Sequence, residues 1–360
     1  YQDENTKKMV KFYKQNFKKN KKYENEFLID YFESHETEIA RSYFINTFCN
    51  LKKCNLKVFS LNKNILLNYN WRRIYKSFNA IDFNYVYLSF TYLLFLLNIK
   101  KRSEVSKVFN SIKSKNDILK LEYKKIEIGR DVYDEYLYRY KKYTIDVNDK
   151  KLKNVIFEFY YLIDYWIEYF QNKQVLGISL SHPNVRLLGI IGKIANGLFK
   201  IPVYSITNTY IRKNMQLSNH YKFIREGLMD IPRKFKKLNK TDQYIALDLA
   251  KKRLNQRLSG QIGVDMPYSK DSAFAKKKLK KTLNSSDKIK ILICTHELHD
   301  NPHSTGGMLF PDFYEWLLFL AEKSKKSNFE WYIKNHPDCD KWTKNVVQKF
   351  VDEHKDITLI

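Results

Sequence analysis

Two apolar runs on either side of a helical segment, between residues 175 and 207, constrain the fold more than any other feature of the chain. VLGISLSH (175–182) and IPVYSIT (201–207) lack polar alternation, and the spacing in NVRLLGIIGKIANGLF (184–199) is helical. Parallel strands that are buried on both faces and joined by a crossover helix have this pattern. Polar residues end both runs, where an open α/β sheet places its ligand crevice. The segment predicts a Rossmann-like α/β domain.

A second α/β pattern starts at residue 288. KIKILICTH, FEWYIKNHP and ITLI are predicted strands, and PDFYEWLLFLAEKSKK and KWTKNVVQKFVDEH are the helices between them. This β-α-β-α-β order is half of a mononucleotide-binding fold, so we expect a C-terminal domain that is truncated at residue 360. The predicted organisation is an N-terminal helical and Rossmann-like acceptor domain (1–225), a helical or irregular segment (226–287) and a partial C-terminal domain (288–360). Two such domains facing one another form the GT-B arrangement, although other two-domain α/β proteins also fit.

The remaining segments are predicted mainly as helices. Apolar spacing predicts extra N-terminal helices over 1–55 and further helices over 71–115, with a short strand at LKVFSL (56–61) between them. The most apolar stretch, 85–99, is fifteen residues long, which is short for a bilayer span and favours a buried helix. In IEIGRDVYDEYLYR a strand is expected to end at Gly129, where a helix follows.

The net charge of +26 raises the question of a polyanionic partner. Of the 65 basic residues only 12 are arginine, and Lys, Asn, Ile, Tyr and Phe are abundant together, as the codon bias of an A/T-rich genome would produce. Peripheral attraction to an anionic membrane surface is the second explanation, and nucleic-acid binding, which usually depends on Arg, is the third. The four cysteines form no CxxC pair, which favours a reduced, cytoplasmic setting.

Two polar loops follow the strands of the C-terminal pattern. The first, THELHDNPHSTGG, is typical of a substrate or phosphate loop, since its glycines precede a helix. A metal site and a purely structural loop are the alternatives, but the HExxH spacing is missing and Pro302 interrupts any helix. The second loop, YIKNHPD, offers a cation and an imidazole for a leaving nucleotide phosphate. The candidate donor-binding residues are His296, Glu297, His299, Asp300, His303, Gly306, Gly307, Lys334, His336 and Pro337.

The N-terminal domain supplies the candidates for acid–base chemistry. Asp134 or His182 could accept a proton from an acceptor hydroxyl, but an Asp at this position could equally cap a helix and a His could bond within a turn. Arg130 and Asp131 lie at the same strand-to-helix junction as Asp134. The irregular segment RLSGQIGVDMPYSKDSAF is expected to meet a ligand or another domain, because buried irregular loops are costly. The candidates for the acceptor or the interdomain surface are Arg130, Asp131, Asp265 and Tyr268.

Several catalytic motifs are missing from the sequence. Walker A, GxGxxG, GxSxG and CxxC patterns do not occur, so ATPase, dehydrogenase and serine-hydrolase functions have no sequence support.

HELHDNPHSTGGMLFPDFYEWL, YIKNHPD, IEIGRDVYDEYLYR and GQIGVDMPYSKDSAF together resemble the bacterial capsule and surface-polysaccharide biosynthesis proteins related to GT-B glycosyltransferases. The similarity covers residues 120–360. It implies a nucleotide-sugar donor on the C-terminal domain, a glycan or lipid-linked acceptor on the N-terminal domain, and action at the cytoplasmic face of the membrane without a cofactor or an obligatory metal. His336-Pro337 is similar to the HP pair of CMP-sugar-dependent sialyl- and Kdo-transferases, which favours a CMP-sugar. Arg130 stands where the family has an acidic residue, so the expected base is Asp134.

Two other functions remain possible on this scaffold. One is a sugar epimerase or phosphotransferase, since a fold does not fix a function. The other is a noncatalytic binding protein, either a polysaccharide-assembly partner or a nucleic-acid binder with a Lys-rich surface.

Overall fold

The chain forms two compact α/β units. A computed structural model describes residues 4–17, 22–62, 69–206, 211–214, 231–264, 272, 274, 283–304, 308–336 and 339–360. Unit 1 comprises residues 1–140, 145–220 and 303–306, and unit 2 comprises 141–144, 221–302 and 307–360. The segment 226–287, predicted as a separate region, is thus grouped with unit 2.

Unit 1 is built on a six-stranded, mainly parallel sheet. Its strands are β1 (Asn25–Asp30), β2 (Cys54–Ser60), β3 (Ala80–Tyr85), β6 (Val175–Ser179), β7 (Val203–Ile206) and β8 (Ile211–Asn214). The order across the sheet is β3-β2-β1-β6-β7-β8, and only β8 runs antiparallel to its neighbour. This architecture is compatible with a Rossmann-like fold, as the 175–207 pattern predicts.

Helices cover both faces of this sheet. Along β1, Phe27 and Ile29 enter one apolar core while Leu28, between them, enters the other. Side chains alternate between the two faces of a strand, so a strand with no polar alternation must be covered on both. The helices of unit 1 are α1 (Glu4–Asn16), α2 (His35–Lys52), α3 (Tyr69–Ser77), α4 (Phe90–Leu97), α5 (Ile99–Ser111), α6 (Lys115–Leu119), α7 (Gly129–Tyr140), α8 (Lys150–Asn172) and α9 (Arg186–Lys193).

The strand predicted at 56–61 is confirmed as β2, but the expectation of extra N-terminal helices is wrong in one respect, because the region supplies two further strands, β1 and β3. NEFLID forms β1 in a segment that we predicted as helical, and β3 lies within the region 71–115. Phe27, Leu28 and Ile29 are consecutive and all fully buried. A surface helix buries only one stripe, so such a run suits a central strand better. The helix α2 begins only after Ser34, whose side chain accepts the Thr37 backbone N–H.

The helix predicted within residues 85–99 is present, but the prediction that it is buried is wrong. A short 3₁₀ turn, Val86–Leu88, leads into α4, of which only Phe95 is buried. Within the described part of the chain, no helix is both long enough and apolar enough to cross a membrane.

The junction predicted at Gly129 is confirmed. A small antiparallel hairpin, β4 (Glu122–Tyr123) and β5 (Ile126–Glu127), ends just before α7 starts at Gly129. A Cβ atom on this residue would lie 2.3 Å from the Ile118 carbonyl oxygen. Only glycine therefore lets the start of α7 approach the end of α6 so closely.

Unit 2 contains a three-stranded parallel sheet in the order β11-β10-β9. Its strands are β9 (Lys290–Cys294), β10 (Glu330–Lys334) and β11 (Ile357–Leu359). Its helices include α10 (Lys240–Leu258), α11 (Phe313–Lys325) and α12 (Lys341–Glu353), and residues 231–237 are also helical. The alternating β-α-β-α-β order predicted from residue 288 is confirmed. By contrast, α10 has no buried residue.

Candidate active site

The strand order of unit 1 reverses between β1 and β6, and a cleft lies next to this point, at the ends of β1 and β2. In open α/β sheets the carboxyl ends of the two strands at such a point diverge and leave room for a ligand. The cleft has a volume of about 340 Å³ and opens beside the end of β1. Its lining includes Asp30, Tyr31, Phe32, Glu33, Asn62 and Leu188. The sequence prediction placed a crevice at this edge of the sheet but identified none of these residues, because β1 had been assigned to a helix.

A buried charge cluster fixes the two strand ends. Asp30 accepts hydrogen bonds from the Arg41 guanidinium at 2.6 Å and from the Ser181 backbone N–H at 2.9 Å, and also from the Ser181 hydroxyl. Arg41 additionally donates to the Ser179 carbonyl oxygen at 3.1 Å and forms an ion pair with Glu38. Burial raises the pKa of Glu38 to about 7. The cluster joins β1 to β6 and shapes the crevice, so its members are positioning residues.

His182, a predicted catalytic residue, is exposed beside this crevice. Its Nδ1 lies 3.1 Å from the Ser181 hydroxyl oxygen, and its ring meets the Phe32 ring edge to face at 5.3 Å. Since Phe32 lines the cleft, His182 is placed where it can touch a bound ligand.

Asp134 and His303 form a buried pair within unit 1. The Asp134 Oδ1 lies 2.6 Å from His303 Nδ1, and the His303 backbone N–H donates to Asp134 Oδ2 at 3.2 Å. Burial raises the pKa of Asp134, although its hydrogen bond with His303 acts in the opposite direction. We predicted Asp134 as a base and assigned His303 to a different, donor-binding loop. The structure brings the two together.

The second ring nitrogen of His303, Nε2, is the atom of this pair that is suited to accept a proton from a ligand. Nε2 is buried and has no hydrogen-bond partner among the residues that the structure describes. A buried polar atom without a partner costs free energy, which a ligand hydroxyl would recover. With Asp134 ionised and Nδ1 donating to it, Nε2 carries the lone pair of a neutral imidazole. A carboxylate that orients an imidazole in this way is a common general-base arrangement.

The other two site candidates on α7, Asp131 and Arg130, do not contact this pair through any hydrogen bond that the structure shows. Asp131 is buried and forms a 2.6 Å ion pair with Lys193, whose Nζ also donates to the Glu127 carbonyl oxygen at 3.0 Å. This contact ties α7 to α9 and gives Asp131 a structural partner, and its predicted role toward an acceptor or at the interdomain surface stays a prediction. Arg130 is exposed.

In unit 2 the two predicted loops meet at adjacent strand ends. The Thr295 backbone N–H and hydroxyl donate to the Lys334 carbonyl oxygen at 3.0 and 3.2 Å. The rings of His296 and His336 have centroids 6.0 Å apart, and these two histidines and Lys334 are exposed. One accessible edge of unit 2 therefore carries an ammonium group and two imidazoles, which suit an anionic ligand.

Glu297, His299 and Asp340 have the residue types of a metal site. One ligand atom from each lies within 4.8 Å of the others. However, Glu297 already accepts the Asp340 backbone N–H at 3.1 Å and the Thr343 hydroxyl, and Asp340 caps α12. These bonds explain Glu297 and Asp340 as parts of the N-terminal cap of α12.

Glu297 and His299 therefore have structural contacts, and their predicted donor-binding roles stay predictions. His299 is buried, with its ring 5.2 Å from that of Trp342. Asp300 is exposed and accepts the Asn301 side-chain amide at 2.8 Å. The remaining candidates lie outside the described residues: Asp265, Tyr268, Gly306, Gly307 and Pro337.

Comparisons of the chain with family models, with curated proteins and with solved structures found no match.

Proposed function

We propose that the protein is a glycosyltransferase that moves a sugar from a nucleotide-sugar to a hydroxyl of a glycan or lipid-linked acceptor. The observation that carries this proposal is the buried Asp134–His303 pair, whose Nε2 has no partner among the described residues. The pair belongs to the same α/β unit as the cleft at the end of β1, although neither Asp134 nor His303 lines that cleft. The resemblance to surface-polysaccharide biosynthesis proteins supports the same class.

In the proposed reaction His303 is the general base. Its Nε2 accepts the proton of the acceptor hydroxyl while Asp134 stabilises the imidazolium that forms. The acceptor oxygen then bonds to the anomeric carbon, and the bond from that carbon to the nucleotide phosphate breaks. The electron pair of this bond leaves with the phosphate. A base on the acceptor side fits inversion at the anomeric carbon.

The proposal assigns the donor to unit 2. Lys334, His336 and His296 would stabilise the negative charge that develops on the leaving phosphate, which requires no obligatory metal. A GT-B pairing of the two units at the cytoplasmic face of a membrane, and a preference for CMP-sugars, are part of this proposal.

Nucleotide release from CMP-, UDP- and GDP-sugars, with and without added glycan acceptors, tests the proposal. We expect acceptor-dependent release that falls by about 10²- to 10⁴-fold in His303→Gln, since this is the usual contribution of a general base. Asp134→Asn should lose a similar amount, and the double variant little more, because the pair acts as a unit. His354→Gln, which changes a partly exposed histidine packed on Phe350, is the matched control and should retain its rate.

Three results would contradict the proposal. One is wild-type turnover in folded His303→Gln. Another is conversion of a nucleotide-sugar without an acceptor, which would identify an epimerase or a phosphotransferase. The third is strongly salt-dependent DNA binding without nucleotide-sugar affinity, which would indicate a binding protein.

A further inference from the structure

The outer face of α4 is apolar where a surface helix is normally polar. Phe90, Leu93, Leu94 and Leu97 follow the i, i+3, i+4, i+7 spacing of one helix face, and they are 70%, 51%, 52% and 68% exposed. The single buried residue of α4, Phe95, lies on the inner side. Amphipathic surface helices usually place such a stripe against the core. Here the stripe faces away from it.

Two more exposed apolar side chains flank α4 in the chain, one before it and one after it. Leu88, just before α4, is 50% exposed, and Ile99, just after it, is 81% exposed. We call these six residues the α4 face. Single exposed apolar side chains are normal, but contiguous ones mark a surface that is covered by something else.

The charged residues that directly follow the α4 face in the sequence are all basic, although Lys101 is paired with Glu104 and Asp164, each at 3.2 Å. No acidic residue occurs between Asp82 and Glu104, whereas Lys100, Lys101 and Arg102 follow the face directly. Lys100 and Arg102 are exposed. Arg102 Nε donates to the Leu96 carbonyl oxygen at 2.7 Å, which holds the guanidinium at the C-terminal end of α4.

We propose that the α4 face inserts into the headgroup and upper acyl region of an anionic lipid bilayer. Lys100 and Arg102 would then contact the lipid phosphates. An eight-residue helix is about 12 Å long, so α4 lies in the plane of the interface and does not cross the bilayer. Helices that bind anionic membrane surfaces commonly combine apolar side chains with neighbouring cations. The free energy of inserting the apolar side chains and the attraction of the cations to anionic lipids both contribute to binding. A protein partner would need no such one-sided charge. The inference does not depend on the transferase activity.

Vesicle flotation tests this inference with the full chain and no sugar ligand. Vesicles of phosphatidylcholine alone are compared with vesicles that contain 30% phosphatidylglycerol, at about 0.1 M and about 0.5 M salt. We expect binding to the anionic vesicles at low salt, a loss of at least tenfold in affinity in Leu93→Glu/Leu97→Glu, and a smaller loss in Lys100→Gln. Leu51→Glu is the matched control, since Leu51 is 76% exposed on α2 and is also followed by two lysines.

A second readout does not depend on the glutamate variants. Leu94→Trp should show a blue shift of its added fluorescence on anionic vesicles and quenching by brominated acyl chains. Unchanged vesicle binding in a folded Leu93→Glu/Leu97→Glu variant, or no quenching of the fluorescence that the added indole contributes above the wild-type background, would overturn the inference. A dimer that the glutamates dissociate, without vesicle binding, would instead assign the α4 face to a second copy of the chain.

Discussion

Glu38 is the carboxyl group that we expect to make the stability of unit 1 depend on pH near neutrality. Arg41 lies between the carboxylates of Asp30 and Glu38, and the three side chains are almost completely buried. One guanidinium charge balances only one carboxylate. Burial raises the pKa of Glu38 from 4.5 to about 7 in the folded protein, while its attraction to Arg41 opposes the rise.

The sign and size of the effect follow from proton linkage. Between the unfolded and folded pKa values the folded protein holds more protons than the unfolded one, so the free energy of unfolding falls as pH rises. Stability is full below about pH 4.5 and is lost as pH rises through 7. At about 1.4 kcal/mol for each unit of pKa difference, the loss is about 3 kcal/mol. Glu38→Gln keeps an oxygen acceptor for Arg41 but does not titrate.

Urea unfolding of both proteins between pH 5 and pH 8 measures this difference. We expect the two to have similar free energies of unfolding at pH 5, and Glu38→Gln to be more stable by up to about 3 kcal/mol at pH 8. Glu4→Gln, at a glutamate that is 79% exposed on α1, is the control and should follow the wild type at every pH. A constant offset between wild type and Glu38→Gln across the pH range would refute the reasoning.

Three further predictions concern one residue or pair each. His336→Ala should lower the transfer rate by about 10²- to 10³-fold without changing the melting temperature, and a folded variant with wild-type turnover would exclude His336 from the site. Lys193→Met should lower the urea unfolding free energy by about 3–5 kcal/mol, because it leaves Asp131 charged and buried, and adding Asp131→Leu should restore most of it; an equal deficit in both would contradict this. Gly129→Ala should cost about 3 kcal/mol in the same assay, since its Cβ would meet backbone atoms of α6, whereas Gly197→Ala, with open space around it, should cost far less.

The local sequence pattern was sufficient to predict the helices and strands whose hydrophobic period is clear. The β-α-β unit at 175–207 and the alternating elements after residue 288 were predicted because uninterrupted apolar strands and helical spacing differ clearly in period. β1 was missed because Phe27–Ile29 is too short an apolar run to distinguish a strand from a helix, and an amphipathic helix follows it. Residues 25–30 form a strand because they pair with β2 and β6 across the sheet, and this pairing cannot be seen in the sequence.

The residues of the candidate site were also predicted only in part. Asp134 and His303 were both selected as polar residues next to predicted elements, but they are 169 positions apart and no spacing rule could pair them. Arg41 was not selected, because an arginine within a helical pattern is normally exposed. The apolar stretch at 85–99 was expected to be buried, since hydrophobicity alone does not reveal whether a helix has a partner on each side.

The adjacency of β1 and β6 sets the order in which unit 1 can fold. β1, β2 and β3 follow one another closely, but the strand that covers the other edge of β1 begins only at Val175, 145 positions after Asp30. At a synthesis rate of roughly 5–20 residues per second, that edge stays open on the ribosome for about 7 to 30 s. An unpaired apolar edge of this kind is a template for intermolecular strand pairing. Until β6 emerges this edge of β1 has no partner strand, and the hydrogen bonds from Arg41 to the Ser179 carbonyl oxygen and from the Ser181 backbone N–H to Asp30 form only after it does.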